Sequence, residues 1–524
     1  MPKKLFLIGI GGTGMRCLES FVHTCAMGMY DDTEVEMLAL DTDENNGNFS
    51  RLRTLVNLYA IINGGKTKQN TFFSAKLKYY EFCPRYDSKS NFDSICDYAT
   101  LNSRRIDKEH KISDPTADFV DMFLSPDVRC MNLQHGYRAQ TQMGSMLMYY
   151  AIKKAAYEAK TGENKKDAQS LKDFLSSLSS DGKHPVFVFG SVFGGTGASS
   201  IPVIPLAFEK VAPDITGSAS SIIDSNFFGS IVLTNYFNFT NVKSDANEVV
   251  ARSDNFAVNS QAALMFYKEN DTVKTTYKRL YLLGRSEVRN ILDDEAGSRE
   301  GVTGGEEQKN PADYIELIAA FAAYHFFKEA TRDDQEPFAK DTERFYCMSY
   351  NSGSKLDFNL FAQDDGEIFK KKIGSLTVAS LLSLTTDFFR SMANSGNMFE
   401  TVDPDGKQMQ ALKSYLAMFD FGVDSSENLV SGWLPQMYNG RGSQGILFGK
   451  AIFNCKTLKE LKKIKFNKDL FTGDKPPKFD VGLFSSIFDE VKKKFISTLP
   501  ENRNSFDDLL LRSYATIVKL YFNE

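Results

Sequence analysis

The sequence predicts an α/β protein built on a parallel, Rossmann-like sheet, with a buried central helix and a second, smaller α+β domain. Short apolar runs of β-prone residues, such as Val186–Phe189, are followed by glycine turns and helical patterns. A run that is apolar throughout is typical of a strand covered on both faces. The segment from Tyr314 to Phe327 is apolar on nearly every side, which is typical of a helix buried between two layers.

Length and charge limit the possible classes of protein. The chain has 524 residues, 42% of them hydrophobic, and a net charge of −5. This composition indicates a globular protein of about two to four domains. A sequence pI near 5.8 argues against a generally basic surface, so we expect no nucleic-acid partner.

The cysteines and histidines show neither a disulfide framework nor metal-ligand spacing. The seven cysteines are scattered and contain no Cys-x-x-Cys pair, which favours reduced thiols in a cytoplasmic protein. We expect no metal site formed by side chains. The apolar run after Lys4 is too short for a signal peptide, and the run from Ile373 to Thr386 is too short to span a bilayer.

The N-terminal segment has the pattern of a βαβ unit. A strand over 5–10 leads into Gly9-Ile-Gly-Gly-Thr-Gly14, then a helix over 15–30 and a strand over 34–40 that ends in Asp41-Thr42-Asp43. The pattern matches the dinucleotide fingerprint, in which Asp41 would bind a ribose. An NAD-dependent Rossmann enzyme is therefore one hypothesis for the chain.

A second glycine turn follows the strand at 186–189. Gly194, Gly195 and Gly197 permit a tight bend in which backbone N–H groups converge on an anion, and Thr196 adds a hydroxyl donor. A helix begins at Ala198, and its positive N-terminal end favours a phosphate. The alternative is a strand-to-helix turn that binds no ligand.

The start of the central helix is predicted by Asn310-Pro-Ala-Asp313. Asn310 is the expected N-cap, Pro311 takes the first helical position, and Asp313 lies in the first turn. An acid in the first turn also stabilises the helix dipole without any ligand.

Three segments are expected along the chain. The first, 1–330, includes the central helix at 310–330 and an insertion at about 50–130. The charged linker at 331–342 separates it from an α+β domain at 343–470, and a helical segment follows at 471–524.

The order of these loops resembles that of the tubulin/FtsZ superfamily and is most similar to its divergent bacterial tubulin-like branch. The matching stretches are Gly9–Gly14, Asp41–Asp43, Gly136-Tyr-Arg-Ala-Gln-Thr-Gln-Met-Gly144, Phe193–Ser199 and the helix start at Asn310. They are scattered over roughly residues 1 to 330. The resemblance implies a GTPase-type domain in which several glycine loops bind GTP or GDP at the C-terminal ends of a parallel sheet.

The resemblance also implies a role for each loop. Gly11, Gly12, Thr13, Gly194, Gly195, Thr196 and Gly197 would contact phosphates. Asp41, Thr42 and Asp43 would lie near the phosphates or a Mg²⁺ that enters with the nucleotide, Gly136, Arg138 and Ala139 would close over the γ-phosphate, and Asn310 or Asp313 would accept hydrogen bonds from guanine.

This sequence departs from the family pattern at several positions. Phe193 and Ser199 replace a small residue and a glycine that flank the second turn. Arg16 stands where FtsZ commonly has an asparagine, and it would be either an additional phosphate ligand or, like Arg138, a residue in a surface salt bridge. The nearest candidate for the family's catalytic acid, Asp357, lies about forty residues after the helix start.

These observations favour a GTP-binding tubulin-like protein that assembles head to tail into filaments and hydrolyses GTP slowly at subunit contacts. The alternative is a nucleotide-gated scaffold without hydrolysis, for instance in a bacterial defence or stress operon with operon-encoded partners. The missing obvious catalytic loop favours that alternative.

Overall fold

A computed structural model shows a sheet of seven parallel strands in the order β3-β2-β1-β4-β5-β7-β9. The structure describes residues 3–84, 124–133, 136–162, 165–180, 182–218, 220–238, 252–285, 288–290, 305–331, 345–350, 363–385, 405–439 and 455–463, with single positions 95, 122, 338, 403 and 506. The predicted α/β class with a Rossmann-like parallel sheet is confirmed.

The strands and helices alternate through the first half of the chain. The strands are β1 (Lys4–Ile10), β2 (Glu34–Leu40), β3 (Lys76–Phe82), β4 (Pro185–Ser191), β5 (Phe227–Leu233), β6 (Phe237–Asn238), β7 (Tyr277–Arg285), β8 (Arg289–Asn290), β9 (Phe345–Tyr350), β10 (Phe421–Val423) and β11 (Leu429–Ser431). The helices are α1 (Gly11–Ala26), α2 (Gly47–Asn63), α3 (Pro126–Arg129), α4 (Thr141–Thr161), α5 (Lys166–Leu178), α6 (Gly195–Ser200), α7 (Ile204–Thr216), α8 (Ile222–Ser225), α9 (Phe256–Glu269), α10 (Asp271–Thr276), α11 (Tyr314–Glu329), α12 (Gln363–Thr385), α13 (Lys407–Phe419), α14 (Trp433–Asn439) and α15 (Leu458–Leu461).

The central strands bury both faces, which explains their unbroken apolar sequences. In β1, Leu5 and Leu7 join the core on one side of the sheet, and Phe6 and Ile8 join the core on the other. The first core contains α1 and α11, and the second contains α4, α5 and α7. Helices on both faces are what a parallel sheet requires.

The strand order reverses between β1 and β4. β1 pairs with β2 on one side and with β4 on the other, in parallel register, with Ile8 opposite Leu38 and Val188. The chain therefore runs outwards in both directions from this pair. In open α/β sheets, ligands bind at such a reversal, beyond the carboxyl ends of the strands.

The predicted insertion begins too early. Residues 47–63 form α2, which Asn46 caps at its start and Gly64 ends in the left-handed conformation. Residues 76–82 form β3, the strand at one edge of the sheet. Its lysines Lys76 and Lys78 pair with carboxylates of β2. Because these charged residues interrupt the apolar pattern, the sequence of this edge strand resembles that of a polar loop.

The strand β9, which lies in the segment predicted as a second domain, belongs to the main sheet. β9 pairs in parallel with β7, with Leu282 opposite Cys347, and forms the sheet edge opposite β3. The charged segment 331–342, predicted as a linker between domains, therefore lies in sequence between α11 and β9, a strand of the same sheet. The rest of the division into segments remains a prediction.

Helices α12, α13 and α14 contribute to the core formed by α1 and α11. Trp433 donates a hydrogen bond from Nε1 to Ser20 Oγ at 3.0 Å, and Tyr415 packs edge-on against His23. In the part of the chain that the structure describes, no helix has the length and apolarity needed to cross a membrane.

Candidate functional site

A cleft lies beyond the carboxyl ends of β1 and β4, at the reversal of the strand order. Its enclosed volume is about 150 Å³, below the roughly 300–1,000 Å³ typical of small-molecule sites, and it opens to solvent. The described residues that line it are Ile10, Gly11, Gly12, Thr13, Asp41, Asp43, Asn46, Asn48, Gly136, Tyr137, Arg138, Ala139, Ser191, Phe193, Gly194, Gly195, Thr196, Gly197, Phe237, Phe256, Gln308 and Asn310.

The first loop is the junction between β1 and α1. Gly11 has a φ of +67°, which favours glycine. A Cβ on Gly14 would lie 2.6 Å from the Gly9 carbonyl carbon and 3.0 Å from the Phe189 oxygen, so only glycine lets α1 pack this closely on the sheet. No side chain caps α1 and its first turn carries no acid, so its N–H groups and positive end face the cleft.

The second loop joins β4 to α6 and contacts the first. A Cβ on Gly11 would lie 3.3 Å from Thr196 Cβ, and one on Gly197 would lie 2.3 Å from the Ser191 oxygen. Helix α6 also starts without a side-chain cap or an acid in its first turn. The loop therefore presents backbone donors to the cleft, as its glycines predict.

The third loop, 136–139, precedes α4 and holds an unusual backbone. Gly136, Arg138 and Ala139 have φ angles of 85°, 43° and 65°. A non-glycine residue in this region costs about 1–3 kcal/mol, and such residues concentrate at functional sites. A Cβ on Gly195 would lie 2.8 Å from the Ala139 nitrogen, so the second loop holds the third in place.

The end of β2 contributes two buried polar atoms that have no hydrogen-bond partner. Asp41 is 4% exposed and accepts a hydrogen bond from the Thr42 N–H at 2.7 Å through Oδ1. Asp41 Oδ2 and Thr42 Oγ1 have no partner. Burial, with the neighbouring charge of Asp43, raises the pKa of Asp41 to about 7. Buried polar atoms are normally paired. The described chain has other such atoms away from the cleft, including Thr71 Oγ1 and Ser74 Oγ, so of the two atoms here the candidate for a ligand contact is the one whose residue lines the cleft, Asp41 Oδ2.

Asp43 already has bonds that organise the loop. Its Oδ2 accepts from the Gly305 N–H at 2.6 Å, and its Oδ1 accepts from the Asn45 N–H at 3.2 Å. It nevertheless lines the cleft, so its charge acts on whatever binds there.

The start of α2 supplies residues that sequence reasoning missed. Asn48 Oδ1 accepts from the Asn310 N–H at 3.0 Å, while its buried Nδ2 has no partner. That Nδ2 lies 3.5 Å from the position of a Cβ on Gly12. Asn46 caps α2 through Oδ1 and donates from Nδ2 to Gln308 Oε1. The sequence does contain one indication of this helix start, since Asn46 stands directly before a helical pattern, as an N-cap residue does.

An aromatic wall closes the side of the cleft towards β5. Phe193, Phe237 and Phe256 line the cleft, and Phe193 packs against the other two at ring-centroid distances of 5.4 and 4.9 Å. The sequence marked only Phe193, as a departure from a small residue. The other two come from segments far along the chain.

Arg16 is the clearest correction to the predicted site. Its Nε and Nη2 donate to Glu316 at 3.3 and 3.0 Å, and its Nη1 donates to Glu19. The side chain is 1% exposed and does not line the cleft. The prediction that Arg16 binds phosphate is wrong, because two buried carboxylates already hold its guanidinium.

The helix start at α11 is also corrected. The N-cap is Asp313, whose Oδ1 accepts from the Ile315 N–H at 3.1 Å, rather than Asn310. Its Oδ2 accepts from Arg285 Nη1 at 3.0 Å, so both carboxylate oxygens have protein partners. Asn310 lines the cleft and Asp313 does not. Of the two predicted base contacts, Asn310 is the better placed.

The remaining predicted site residue, Asp357, lies outside the described residues, and its catalytic role stays a prediction. Across the described chain, no group of three or more histidines, cysteines, aspartates and glutamates is placed to hold a metal. The described lining has one cation, Arg138, and two carboxylates, Asp41 and Asp43. An anion in this cleft would be bound mainly by backbone N–H groups.

Comparison with known proteins gives limited information. No family model and no curated protein matches the sequence. Among solved structures, the chain is similar to CetZ from Methanosaeta thermophila strain DSM 6194, a tubulin/FtsZ-family protein, at 11% sequence identity and a TM-score of 0.27. The alignment covers 63% of this chain and 56% of the CetZ chain. Such a likeness is too distant to carry an argument about this cleft.

Proposed function

We propose that the chain is a cytoplasmic GTP-binding protein of tubulin-like type, with the nucleotide phosphates in the cleft at the β1–β4 reversal. The observation that carries the proposal is the convergence of the uncapped starts of α1 and α6 on a cleft with unpartnered buried polar atoms. Helices α2 and α11 begin with a side-chain cap, whereas α4, α5, α7, α9 and α13 begin without one, so a missing cap supports the proposal only where the helix start faces the cleft. The cleft helices keep their N–H groups for a ligand.

The orphaned atoms match the chemistry of a nucleotide phosphate with its metal. Asn48 lines the cleft, and its Nδ2 is a donor suited to phosphate oxygens. Thr42 does not line the cleft, and its Oγ1 lies 3.3 Å from the position of a Cβ on Gly136. The carboxylates of Asp41 and Asp43 would repel a bare polyphosphate, so these groups favour a nucleotide that arrives with Mg²⁺. The ion would neutralise phosphate charge, and Asp41 Oδ2 is the oxygen left to face it.

The proposal is tested by calorimetric titration with GTP, GDP, ATP and NAD in the presence of Mg²⁺. Gly12→Asp puts a carboxylate at the start of α1, where a Cβ meets only amide atoms at 3.5 Å or more. We expect tight binding of GTP and GDP by the native chain and a loss of about 100-fold or more in the variant. Gly422→Asp on β10, where a Cβ also makes only ordinary contacts, is the matched control and keeps native affinity.

The proposal fails if GTP and GDP do not bind, or if Gly12→Asp binds them as tightly as Gly422→Asp does. Guanine preference is read from the same titrations by comparing GTP with ATP.

A second candidate is a dinucleotide-binding Rossmann protein. It is favoured by Asp41, which ends the strand after the first glycine loop and has an unpartnered Oδ2, as a ribose-binding acid does. It gives no role to the convergence of the second and third loops on the cleft. Tight binding of NAD with no binding of GTP would replace the first proposal with this one.

Head-to-tail self-assembly and slow GTP hydrolysis extend the same proposal. A heterologous contact that does not close into a ring produces filaments. GTP-dependent light scattering and pelleting test this step separately. A chain that binds GTP but stays monomeric with every nucleotide would be a nucleotide-gated scaffold instead.

A further inference from the structure

We infer that the protein has a second ligand site, a cavity for a neutral and mostly apolar small molecule between the start of α4 and α9. The cavity has a volume of about 550 Å³, which lies within the range of roughly 300–1,000 Å³ typical of small-molecule sites. Its described lining residues are Ala139, Thr141, Gln142, Ser145, Met146, Phe193, Gly194, Ala198, Asn259, Ala262, Ala263, Phe266 and Tyr267.

The lining selects the chemistry of the ligand. None of the described lining residues carries a charge, and burying an ion without a partner is costly. The walls are mainly methyl, thioether and aromatic groups. Ser145 Oγ and Tyr267 Oη are already bonded to the protein, since they donate to the Ser199 oxygen at 2.9 Å and to the Ala198 oxygen at 2.8 Å. One amide atom of each remaining polar side chain is also engaged, because Gln142 Oε1 accepts from Thr141 Oγ1 at 3.4 Å and Asn259 Nδ2 donates to the Phe193 oxygen at 3.3 Å. The other amide atoms, Gln142 Nε2 and Asn259 Oδ1, provide the polar edge that would orient a ligand.

The rim supports an apolar occupant. Phe266 lines the cavity and is 55% exposed, and Met265 beside it is 64% exposed. An apolar molecule bound in this uncharged cavity would pack against the exposed Phe266 ring at its mouth and remove apolar surface from water.

The cavity shares a wall with the cleft. Ala139, Phe193 and Gly194 line both. Asn259 Nδ2 on α9 donates to the Phe193 oxygen at 3.3 Å, so α9 holds the residue that leads into the second glycine loop. A molecule that shifts Asn259 or Gly194 therefore changes the cleft. This coupling rests on the proposed nucleotide site, whereas the existence of the cavity site does not.

The site is tested with the neutral fluorescent probe N-phenyl-1-naphthylamine, titrated into the full chain without nucleotide. We expect saturable binding at one site. Ala263→Trp fills the cavity and is expected to lower probe affinity about tenfold or more. Ala257→Trp is the matched control, since Ala257 is exposed on the same helix and is outside the described lining.

Ala262→Trp gives a second, more exposed obstruction in case Ala263→Trp does not fold, which circular dichroism reports. Non-saturable binding of the probe, or equal affinity in folded lining and control variants, would overturn the site.

The coupling is tested by repeating the probe titration with saturating GTP. We expect the probe affinity to change by about threefold or more, with an equal change in GTP affinity when the probe is saturating. Complete loss of probe binding would show one shared site and contradict a separate cavity. Failure of GTP to bind at all would sink the proposed function while leaving the first titration to decide the cavity.

Discussion

Two groups of mostly buried polar side chains, one packed against α1 and one at the cleft, differ in how well they are paired. The ionic cluster consists of Arg16, Glu19, Arg51, Tyr236 and Glu316. Glu316 alone accepts four hydrogen bonds, two from Arg16, one from Tyr236 Oη at 3.0 Å and one from the Asp313 N–H at 3.1 Å. The cleft group consists of Asp41, Thr42 and Asn48, each of which has a buried atom without a partner.

This difference distinguishes buried polar side chains that stabilise the fold from buried polar side chains that are available to bind a ligand. Burial raises the pKa of Glu19 and Glu316, and the positive charge of Arg16 opposes that rise. In the cleft group, burial raises the pKa of Asp41 and the nearest charge, Asp43, adds to the rise. Both groups are buried, but the carboxylates of the first have a positive partner and Asp41 of the second has none. This difference indicates that the first group stabilises the fold and that the second is available for binding.

The largest loss of stability is expected from removing the Arg16 guanidinium from the ionic cluster. Arg16→Met keeps a similar volume but leaves Glu316 buried without its cation and Glu19 with Arg51 alone, which is expected to lower the free energy of unfolding by about 3–5 kcal/mol. Urea unfolding at pH 7 measures it. The double variant Arg16→Met with Glu316→Gln removes one of those charges and should recover part of the loss. A change below about 1 kcal/mol in Arg16→Met would show that the cluster does not hold the fold.

A pH-dependent effect is expected from the cleft group. The pKa of Asp41 is raised to about 7 in the folded chain, above its ordinary value of about 3.9 in an unfolded chain. The folded state therefore binds this proton more tightly, so the contribution of Asp41 to stability is greatest below about pH 4 and falls as the pH rises to about 7. Asp41→Asn removes this loss, by up to about 1.4 kcal/mol per pH unit between those limits.

Paired urea unfolding curves of Asp41→Asn and the native chain, at several pH values without ligand, measure the difference between them. Other titrating groups cancel in that difference. A difference that does not grow with pH would show that Asp41 is paired after all.

The smallest change in stability is expected from the N-cap of α11. This helix has a side-chain cap, whereas α1 has none. Asp313→Ala removes the N-cap and also the carboxylate that pairs with Arg285, whereas Asp313→Asn keeps a capping oxygen and removes only the charge. The cap itself, measured as the difference in free energy of unfolding between these two variants, is expected to contribute about 0.5–2 kcal/mol. Asn310→Ala is the matched control and should change the free energy of unfolding by less than about 0.5 kcal/mol, since Asn310 does not cap the helix. Thermal unfolding of the three variants measures this. A larger loss in Asn310→Ala would restore the cap predicted from the sequence.

Local patterns predicted much of the sheet and the glycine loops. Strands such as β4 are apolar because both faces are covered, and that pattern is visible without any tertiary contact. Gly11 is likewise set by its positive φ, and Gly195 and Gly197 by close backbone approach, which leaves few alternatives in the sequence.

Long-range pairing determined what the sequence did not reveal. Arg16 looked like a phosphate ligand because its partner Glu316 lies 300 positions away. Asn48 and Phe256 reach the cleft only through the packing of α2 and α9, and β9 joins the sheet only through its register with β7. None of these contacts leaves a periodic or spacing signal.

The position of β4 in the sheet affects how the chain folds during synthesis. Ile8 in β1 lies opposite Val188 in β4, so the centre of the sheet cannot form until most of the first half has been made. At the roughly 5–20 residues per second of translation, β1 stays without that neighbour for about 10–35 seconds. During that interval an apolar strand edge is open to other chains. The nascent protein is therefore exposed to aggregation at its centre rather than at the charged edge strand β3.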